Sequence, residues 1–442
     1  MLPRVLTVAG SDSGGGAGIQ ADLKTIALLG GFGMSAITAL TAQNTLGVIE
    51  VHEVPADFVA QQMEVVISDI GVDALKTGML GNSAIVRAVC QKICQHGISK
   101  VVVDPVMVAK NGERLLSPAA EEVLRRELLP LAQVITPNLP ESEALTKRKI
   151  SGLKGMREAA ARIHKMGARN VLVKGGHLSG EATDVFFDGR KFYELNGGRI
   201  STPHTHGTGC TMSAAIAVEL AKGCPALKAV EKAKAFVSSA IQFSLPLGHG
   251  QGPVNPYALI AREMERYQII RELKEGFQVL QDMKVGHLFP EVQSNLGYAL
   301  PYAQGIEDVA AFPGRLVRLG KEVLKVADPD FGASQHIAKI ILTAMAHDPE
   351  MRSAMNLRLT EEILARAKRE GLLVRHFDRK EEPVRVKRWE GSSLSWGVQR
   401  VLQISKKVPD VIFDRGDVGK EPMVRVLGHN PEEVVAKVLR LS

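Results

Sequence analysis

The sequence predicts an α/β protein with at least two domains. Three observations lead to this expectation: the length of the chain, its balanced composition, and short β-branched runs that alternate with longer amphipathic segments. A chain of 442 residues is too long for one hydrophobic core, since domains usually span about 100 to 200 residues. Its 45% hydrophobic and 23% charged residues are typical of a folded globular protein and exclude a disordered one.

Strands and helices are predicted to alternate through the first 250 residues. Runs rich in β-branched residues are typical of buried parallel strands, and they lie at 5–9, 101–103, 134–136 and 171–173. Amphipathic segments suited to crossover helices lie at 20–29, 83–95 and 117–128. This alternation favours a mostly parallel sheet.

A cluster of turn residues at 247–256 marks the expected domain boundary. We therefore predict a first domain at 1–256, a charged helical linker at 257–280 and a second, smaller α/β domain at 281–442. In the second domain the pattern predicts strands at 315–319, 372–377, 411–413 and 424–427, and helices at 335–347, 359–370 and 431–441.

Charge and cysteine usage limit the classes of partner. The net charge of +7 is spread along the chain, which suits small anionic substrates better than nucleic acid. The four cysteines have neither CxxC nor zinc-site spacing. Neither a signal peptide nor an apolar stretch of membrane-spanning length is evident. We expect a cytoplasmic protein without nucleic-acid or membrane partners.

Two glycine-rich motifs are candidate ligand loops at the sheet edge where open α/β proteins bind ligands. The turn at 10–18 lets the backbone approach a ligand, although it matches neither a P-loop nor a dinucleotide fingerprint. The motif at 206–210 opens a predicted helix, so backbone N–H groups should converge there on an anion. Its Cys210 sits where a helix favours the thiolate, which predicts a base or polar contact toward a substrate hydroxyl. A cysteine that only packs the turn is the structural alternative.

Two acidic residues and a lysine follow the predicted strands. Asp104 and Glu141 come directly after consecutive strands, and their hard oxygens suit magnesium, although each alone is more often a cap or turn residue. Lys174, in the sequence Lys174-Gly175-Gly176-His177, can direct a cation at nucleotide phosphates. The pattern therefore predicts a site for phosphoryl transfer.

The order GSDSGGGAGIQADLKT, QNTLGV, KTGML, VVDPVM, TPNLPE, VKGGH and GTGCT resembles the hydroxymethylpyrimidine phosphate kinases, a branch of the ribokinase-like superfamily. The resemblance covers about residues 3–258. It implies a mostly parallel sheet with helices on both faces, a homodimer, and ATP and magnesium. It also implies two phosphorylations of 4-amino-5-hydroxymethyl-2-methylpyrimidine, first at the hydroxyl and then at the new phosphate.

The same resemblance implies roles for individual residues. The pyrimidine would be held by Asp22, Gln43 and Met79, with Val106 as an apolar wall. Cys210 would contact the acceptor hydroxyl. The backbone of Gly207, Thr208, Gly209 and Cys210 would form the anion hole, and Asp104, Glu141 and Lys174 would bind magnesium and ATP. Cysteine in place of the superfamily's usual aspartate, together with Gln43, favours a pyrimidine over a sugar. Pyridoxal kinase activity is the alternative.

Three stretches of the second domain are candidate phosphate loops. Arg315 follows a Pro-Gly turn, His336 lies in the first turn of a predicted helix, and Lys420 lies in a loop between two strands. Isolated basic residues in such places are more often structural.

With PEVQSNLGYALP, GSSLSWG and EPMVRVLG, these stretches resemble the archaeal-type thiamine-phosphate synthase domain over about residues 280–441. The resemblance implies that the pyrimidine diphosphate is joined to 4-methyl-5-(2-phosphoethyl)thiazole, the thiazole phosphate, with release of pyrophosphate. The candidate phosphate ligands are Arg315, His336 and Lys420, and the first two are also candidate catalytic residues. A domain that senses thiamine phosphate without catalysis is the alternative.

Overall fold

A computed structural model describes residues 2–107, 116–176, 182–383, 392–405 and 407–442. The chain divides into two compact units, Met1–Leu259 and Ile260–Ser442. No helix among the described residues has the length and apolar character needed to cross a membrane.

The first unit alternates strands and helices. Its strands are β1 (Arg4–Ala9), β2 (Phe32–Ile37), β3 (Ala39–Gln43), β4 (Val48–Glu53), β5 (Ala74–Thr77), β6 (Val101–Val103), β7 (Val134–Ile135), β8 (Asn170–Val173), β9 (Asp184–Phe187) and β10 (Phe192–Leu195). Its α-helices are α1 (Gly18–Leu28), α2 (Ala56–Asp69), α3 (Ser83–Gln95), α4 (Pro118–Val123), α5 (Leu139–Thr146), α6 (Gly152–Lys165), α7 (Thr208–Ala221) and α8 (Ala226–Gln242). A π-helical turn at Leu124–Leu128 and a 3₁₀ turn at Leu129–Leu131 follow α4.

The main sheet of this unit has the strand order β10-β9-β8-β7-β6-β5-β1-β2. Neighbouring strands from β2 to β8 are parallel, and β9 and β10 add an antiparallel edge. Side chains on each strand alternate between two cores, so that Val101 and Val103 pack on one face and Val102 on the other. The predicted α/β fold with helices on both faces is confirmed.

The second unit also mixes strands and helices. Its strands are β11 (Leu296–Ala299), β12 (Val309–Ala311), β13 (Leu316–Leu319), β14 (Glu322–Lys325), β15 (Asp330–Phe331), β16 (Ser353–Arg358), β17 (Val374–His376), β18 (Val411–Asp414) and β19 (Met423–Gly428). Its α-helices are α9 (Ala258–Asp282), α10 (Gln335–Met345), α11 (Glu361–Arg369), α12 (Ser392–Ile404) and α13 (Pro431–Leu441), and its 3₁₀ turns are Val285–Leu288, Ile306–Asp308 and Arg379–Glu381.

Its main sheet has the order β15-β12-β11-β16-β19-β18-β17. Only β17 and β18 are parallel among its described pairs, and the other neighbours are antiparallel. The spacing of strands and helices in the sequence does not reveal strand direction, because either a helix or a long loop can return the chain.

Helix α9 occupies the segment expected to be a linker. Ile269, Leu273, Phe277 and Leu280 recur at helical spacing and are buried in the core of the second unit. This part of the helix therefore contributes to that unit's own packing.

Candidate active sites

A cleft in the first unit opens at the carboxyl ends of β1, β5, β6, β7 and β8. It is lined by nearly all the residues predicted for the kinase site: Gln43, Met79, Asp104, Val106, Glu141, Lys174, Gly207, Thr208, Gly209 and Cys210. His177, quoted in a motif, lies outside the described residues. The sheet topology gathers these side chains because the ends of parallel strands meet at one edge.

Asp22 is the predicted site residue that the structure places behind the cleft. It is fully buried on α1, and its Oδ2 accepts hydrogen bonds from Thr7 Oγ1 at 2.7 Å and Lys76 Nζ at 2.8 Å. Lys76 is equally buried and lines the cleft. Burial acts to lower the pKa of Lys76, but Asp22, Cys210 and Asp104 outweigh it and raise that pKa, so Lys76 is a cation.

Two glycine loops meet beside the cleft, where Asp12 of the first loop contacts His206 of the second. Asp12 Oδ2 accepts from the Gly16 amide at 3.1 Å and the Ala17 amide at 2.7 Å, and lies 2.9 Å from His206 Nε2. Gly207 has φ +81°, and a Cβ there would lie 1.8 Å from the Gly16 carbonyl oxygen. Only glycine fits this contact.

The predicted carboxylates and lysine form one buried charge cluster. Lys174 Nζ lies 3.2 Å from Asp104 Oδ1, which also accepts from Thr136 Oγ1 at 3.2 Å. Glu141 Oε2 accepts from the Asn138 amide at 2.7 Å as part of the capping box of α5. Burial raises the pKa of Glu141 to about 7, with Lys174 opposing and Asp104 adding to the rise. The cluster thus has two acidic groups for one ammonium.

Cys210 differs from its sequence-based expectation. It lies in the first turn of α7 and lines the cleft, but burial raises the pKa of its thiol to about 11, with Lys76 opposing and Asp22 and Asp104 adding to the rise. Desolvation thus opposes the thiolate that the helix start was expected to favour.

The residues of the predicted anion hole lie at the start of α7. The first helical hydrogen bond runs from the Thr211 amide to the Gly207 carbonyl at 2.9 Å, so the Gly209 and Cys210 amides precede it. Thr208 instead donates from its amide and hydroxyl to the Thr205 carbonyl, at 3.4 and 2.7 Å. A Cβ on Gly209 would lie 3.4 Å from Lys174 Nζ, which places these amides against the charge cluster.

Sequence reasoning missed the roles of Lys76 and Asp12. Lys76 is a charged residue within the buried strand β5, a pattern that signals a buried ion pair because such a side chain needs a partner. Asp12 was quoted only within a glycine-rich motif, although an aspartate beside glycines commonly accepts from nearby backbone amides.

The second unit brings two of its three predicted phosphate ligands together. Arg315 and His336 line one pocket with Asn295 and Ser334, the residue before α10. Arg315 adopts φ +72° and donates from Nη1 to the Val292 carbonyl.

Lys420 does not line this pocket. Its Nζ lies 3.7 Å from Glu382 Oε2, and its backbone pairs with Asp417 in the loop between β18 and β19. The loop is closed by hydrogen bonds in both directions between these two backbones.

The sequence model of the phosphomethylpyrimidine kinase family matches residues 12–255, more than half of the chain. The chain belongs to the phosphomethylpyrimidine kinase family. The model of the family described as thiamine-phosphate synthase ThiN matches residues 272–440. The predicted combination of a kinase and an archaeal-type synthase domain is therefore confirmed at the level of family.

Curated relatives agree over the kinase region. The chain is 49% identical over 263 residues to the hydroxymethylpyrimidine/phosphomethylpyrimidine kinase of Haemophilus influenzae, covering 58% of this chain and 97% of that one. It is 55% identical over 252 residues to a thiamine biosynthesis bifunctional protein of Geobacter sulfurreducens, covering 57% of this chain and 51% of that one. The chain thus spans about half the length of that bifunctional relative.

Solved structures match the same region. An ADP complex of Bacillus subtilis pyridoxal kinase is 41% identical with a TM-score of 0.56, covering 59% of this chain and 99% of that one. Staphylococcus aureus pyridoxal kinase in complex with AMP-PCP and pyridoxal is 39% identical with a TM-score of 0.55, covering 58% and 94%. The predicted ribokinase-like fold of the first unit is confirmed.

Proposed function

We propose that this chain makes thiamine phosphate with its two units. The first unit phosphorylates 4-amino-5-hydroxymethyl-2-methylpyrimidine twice with ATP, and the second unit joins the resulting diphosphate to 4-methyl-5-(2-phosphoethyl)thiazole. The observation that carries the kinase assignment is the buried cluster of Asp104, Glu141 and Lys174 against the start of α7. Such a cluster combines a phosphate cradle with carboxylates for a nucleotide-bound cation.

The carboxylate excess fits magnesium. Asp104 and Glu141 offer hard oxygens. Burial raises the pKa of Glu141 to about 7, with Asp104 adding to the rise, so a nearby cation would stabilise its carboxylate form. We infer that these two carboxylates would hold the ion when the nucleotide is bound. When bound, magnesium neutralises phosphate charge during transfer.

We propose that Cys210, which lines the cleft, acts on the acceptor hydroxyl. In the first transfer the hydroxyl oxygen bonds to the γ-phosphorus, the bond from that phosphorus to the bridging oxygen breaks, and ADP leaves with the electron pair. The Cys210 thiolate takes the hydroxyl proton, and the Lys76 ammonium on the same cleft favours that thiolate. In the second transfer the acceptor is a phosphate oxygen, which at pH 8 carries no proton to remove.

The remaining cleft residues suit a substituted pyrimidine. Gln43 lies with its Nε2 3.4 Å from His206 Nε2 and its Oε1 3.3 Å from Thr41 Oγ1. Its amide can donate to a ring nitrogen and accept from an exocyclic amine. Met79 and Val106 supply the apolar surface, and buried Asp22 acts indirectly by fixing Lys76.

For the second unit we propose catalysis by charge stabilisation. The bond from the pyrimidine methylene carbon to the diphosphate oxygen breaks, the thiazole nitrogen bonds to that carbon, and pyrophosphate leaves with the electron pair. Arg315 and His336, which share one pocket, stabilise the departing charge. A non-catalytic sensor of thiamine phosphate would use the same two cations, so only an assay of product formation distinguishes catalysis from sensing.

Pyridoxal is the alternative substrate of the first unit. The similarity to two pyridoxal kinases over most of their length supports it, since pyridoxal is also a hydroxymethyl heteroaromatic. We expect a higher kcat/KM for the pyrimidine, because Gln43 matches its ring nitrogen and amine.

We further propose a cytoplasmic homodimer. The pair β3 and β4 exposes Leu40, Leu46 and Ile49 at 49%, 66% and 76%, an apolar surface suited to association. Light scattering of the purified chain should give the mass of a dimer.

All four cysteines are free thiols, as is usual in a reducing compartment, and fractionation of the source cells tests the location.

Three incubations of the full chain test the function, one of them with pyridoxal, ATP and magnesium as the comparison for the pyrimidine. With the pyrimidine, ATP and magnesium, chromatography should detect the monophosphate and then the diphosphate. With supplied diphosphate and thiazole phosphate but no ATP, it should detect thiamine phosphate. Absence of this product would leave the second unit a sensor, and faster use of pyridoxal than of the pyrimidine would reassign the first.

A further inference from the structure

Arg425 is a cation buried within a sheet. It lies in β19, is 1% exposed, and is the largest fully buried side chain among the described residues. Its Nη2 donates to Asp414 Oδ2 at 2.7 Å. Its Nε and Nη1 have no hydrogen-bond partner within the described part of the chain. Buried guanidinium donors normally find partners, so these unpaired groups indicate an additional acceptor.

The carboxylate of Asp414 is not available to neutralise Arg425 alone, because it also pairs with Arg379. Its Oδ1 accepts from Arg379 Nε at 2.5 Å and from the Gly416 amide at 3.0 Å, and its Oδ2 accepts from Arg379 Nη2 at 3.3 Å. Two guanidinium groups therefore share one carboxylate. The pKa of Asp414 is lowered by both, against the effect of burial, so the group of three keeps one net positive charge.

The unpaired edge of Arg425 lies on the same face of the sheet as the Arg315 and His336 pocket. Arg425 is directly opposite Asn356 in the antiparallel pair of β19 and β16, so the two side chains share a face. Asn356 Oδ1 accepts from the Asn295 amide at 2.9 Å, and Asn295 lines the pocket. Two strand spacings, about 10 Å, thus separate Arg425 from the pocket wall.

A second arginine extends this cationic row. Arg358 is two residues beyond Asn356 on β16, which puts it on the same face, and its Nε is buried without a partner in the described structure. The side chains of Arg358 and Arg425 flank Asn356 on this face. A row of cations next to a pocket suits an anion with several oxygens.

We propose that Arg425 binds phosphate oxygens of a substrate in the second unit's site, with Asp414 as the positioning residue that orients it. The proposal rests on the synthase function proposed above. The diphosphate of one substrate and the phosphate of the other offer the same acceptor chemistry, but the diphosphate has more charge and more oxygens for the row. We therefore assign Arg425 to the diphosphate.

Calorimetry on the full chain tests this assignment. Inorganic pyrophosphate and thiazole phosphate are titrated separately, with the first unit's cleft saturated by AMP-PCP. Arg425→Met should weaken pyrophosphate binding about 10-fold to 100-fold, as expected for lost hydrogen bonds from a charged group, and thiazole phosphate binding less than threefold. The matched control Arg352→Met removes an arginine paired with Glu265 and should change neither.

The variant Arg425→Lys covers the case in which Arg425→Met does not fold. It keeps a cation beside Asp414 but loses the planar fork, and we expect pyrophosphate binding to weaken about threefold to tenfold. Melting curves establish that each titrated variant is folded. Unchanged pyrophosphate affinity in a folded variant would overturn the assignment, and a loss confined to thiazole phosphate would overturn the choice of the diphosphate.

Product formation by the same preparations separates the two proposals. If wild type forms thiamine phosphate and folded Arg425→Met binds pyrophosphate equally well, only the role of Arg425 fails. If pyrophosphate binding depends on Arg425 but wild type forms no thiamine phosphate from supplied substrates, the anion site stands and the synthase function fails.

Discussion

The two units carry opposite charge balances at their sites. In the first, Asp104 and Glu141 surround Lys174, so acidic groups outnumber the ammonium. In the second, Arg379 and Arg425 share Asp414. The first arrangement favours a cation that accompanies a nucleotide, and the second favours an anion directly. We infer that similar mixtures of helices and strands select different ligands through the sign of the buried excess charge.

The largest expected effect is on the first phosphorylation. Cys210→Ala should lower its kcat/KM about 10²-fold to 10⁴-fold, the usual loss of a general base. The second phosphorylation should fall less than tenfold, because its acceptor has no proton to remove. Separate assays starting from the pyrimidine and from its monophosphate measure both. The control Cys94→Ala, at an exposed site, should change neither, and equal losses in the two steps would exclude the base role.

A comparable loss is expected in the second unit. Arg315→Ala and His336→Ala should each lower thiamine phosphate formation about 10²-fold to 10³-fold, as for removal of a group that stabilises leaving charge. Kinase rates measured in the same samples should not change. Arg366→Ala is a matched control, since Arg366 pairs with Glu362 on α11. Full synthase activity in both site variants would contradict the assignment of this pocket.

A smaller effect is expected from pH. With a thiol pKa of about 11, the thiolate fraction of Cys210 rises about tenfold per unit between pH 8 and 10. The kcat/KM of the first phosphorylation should therefore rise with pH. The kcat/KM of the second should stay nearly constant over this range, because Glu141, with a pKa of about 7, is ionised throughout. Equal pH profiles for the two steps would argue against proton transfer to Cys210.

The smallest effect is a gain of stability. The folded-state pKa of Glu141 is about 7, above its ordinary value, so ionising this carboxyl lowers the free energy of unfolding. This destabilising cost is absent below about pH 4.5 and fully present above about pH 7. Glu141→Gln removes this charge and keeps an acceptor for the capping box. Denaturant unfolding at pH 8 without ligands should show about 1 to 3 kcal/mol of stabilisation, with reduced kinase activity. A destabilised variant would contradict the predicted cost of ionising this buried carboxyl.

The sequence predicted local features well and long-range ones unevenly. Helix α3 and strand β6 have the predicted bounds, because periodicity and caps are local signals. The cleft residues gathered as expected because parallel strand ends meet at one edge. The high thiol pKa of Cys210 was not predicted, since it depends on burial by distant elements.

The second unit shows the limit more clearly. Arg425 was quoted only within a family motif. The phosphate-binding role that we propose for it was not predicted, because its partner Asp414 and its neighbour Asn356 lie on other strands. The antiparallel pairing that brings them together has no signature in the spacing of elements. Lys420 was assigned from its loop alone; its Nζ lies 3.7 Å from Glu382 Oε2, and it does not line the pocket of Arg315 and His336.

One coupled assay tests the central claim that both activities reside in this chain. Wild type, Cys210→Ala and His336→Ala are incubated with the pyrimidine, thiazole phosphate, ATP and magnesium, and the products are separated by chromatography. We predict thiamine phosphate from wild type, accumulated pyrimidine diphosphate from His336→Ala, and product from Cys210→Ala only when the diphosphate is supplied. A wild-type chain that phosphorylates no pyrimidine, or that stops at the diphosphate with thiazole phosphate present, would contradict it.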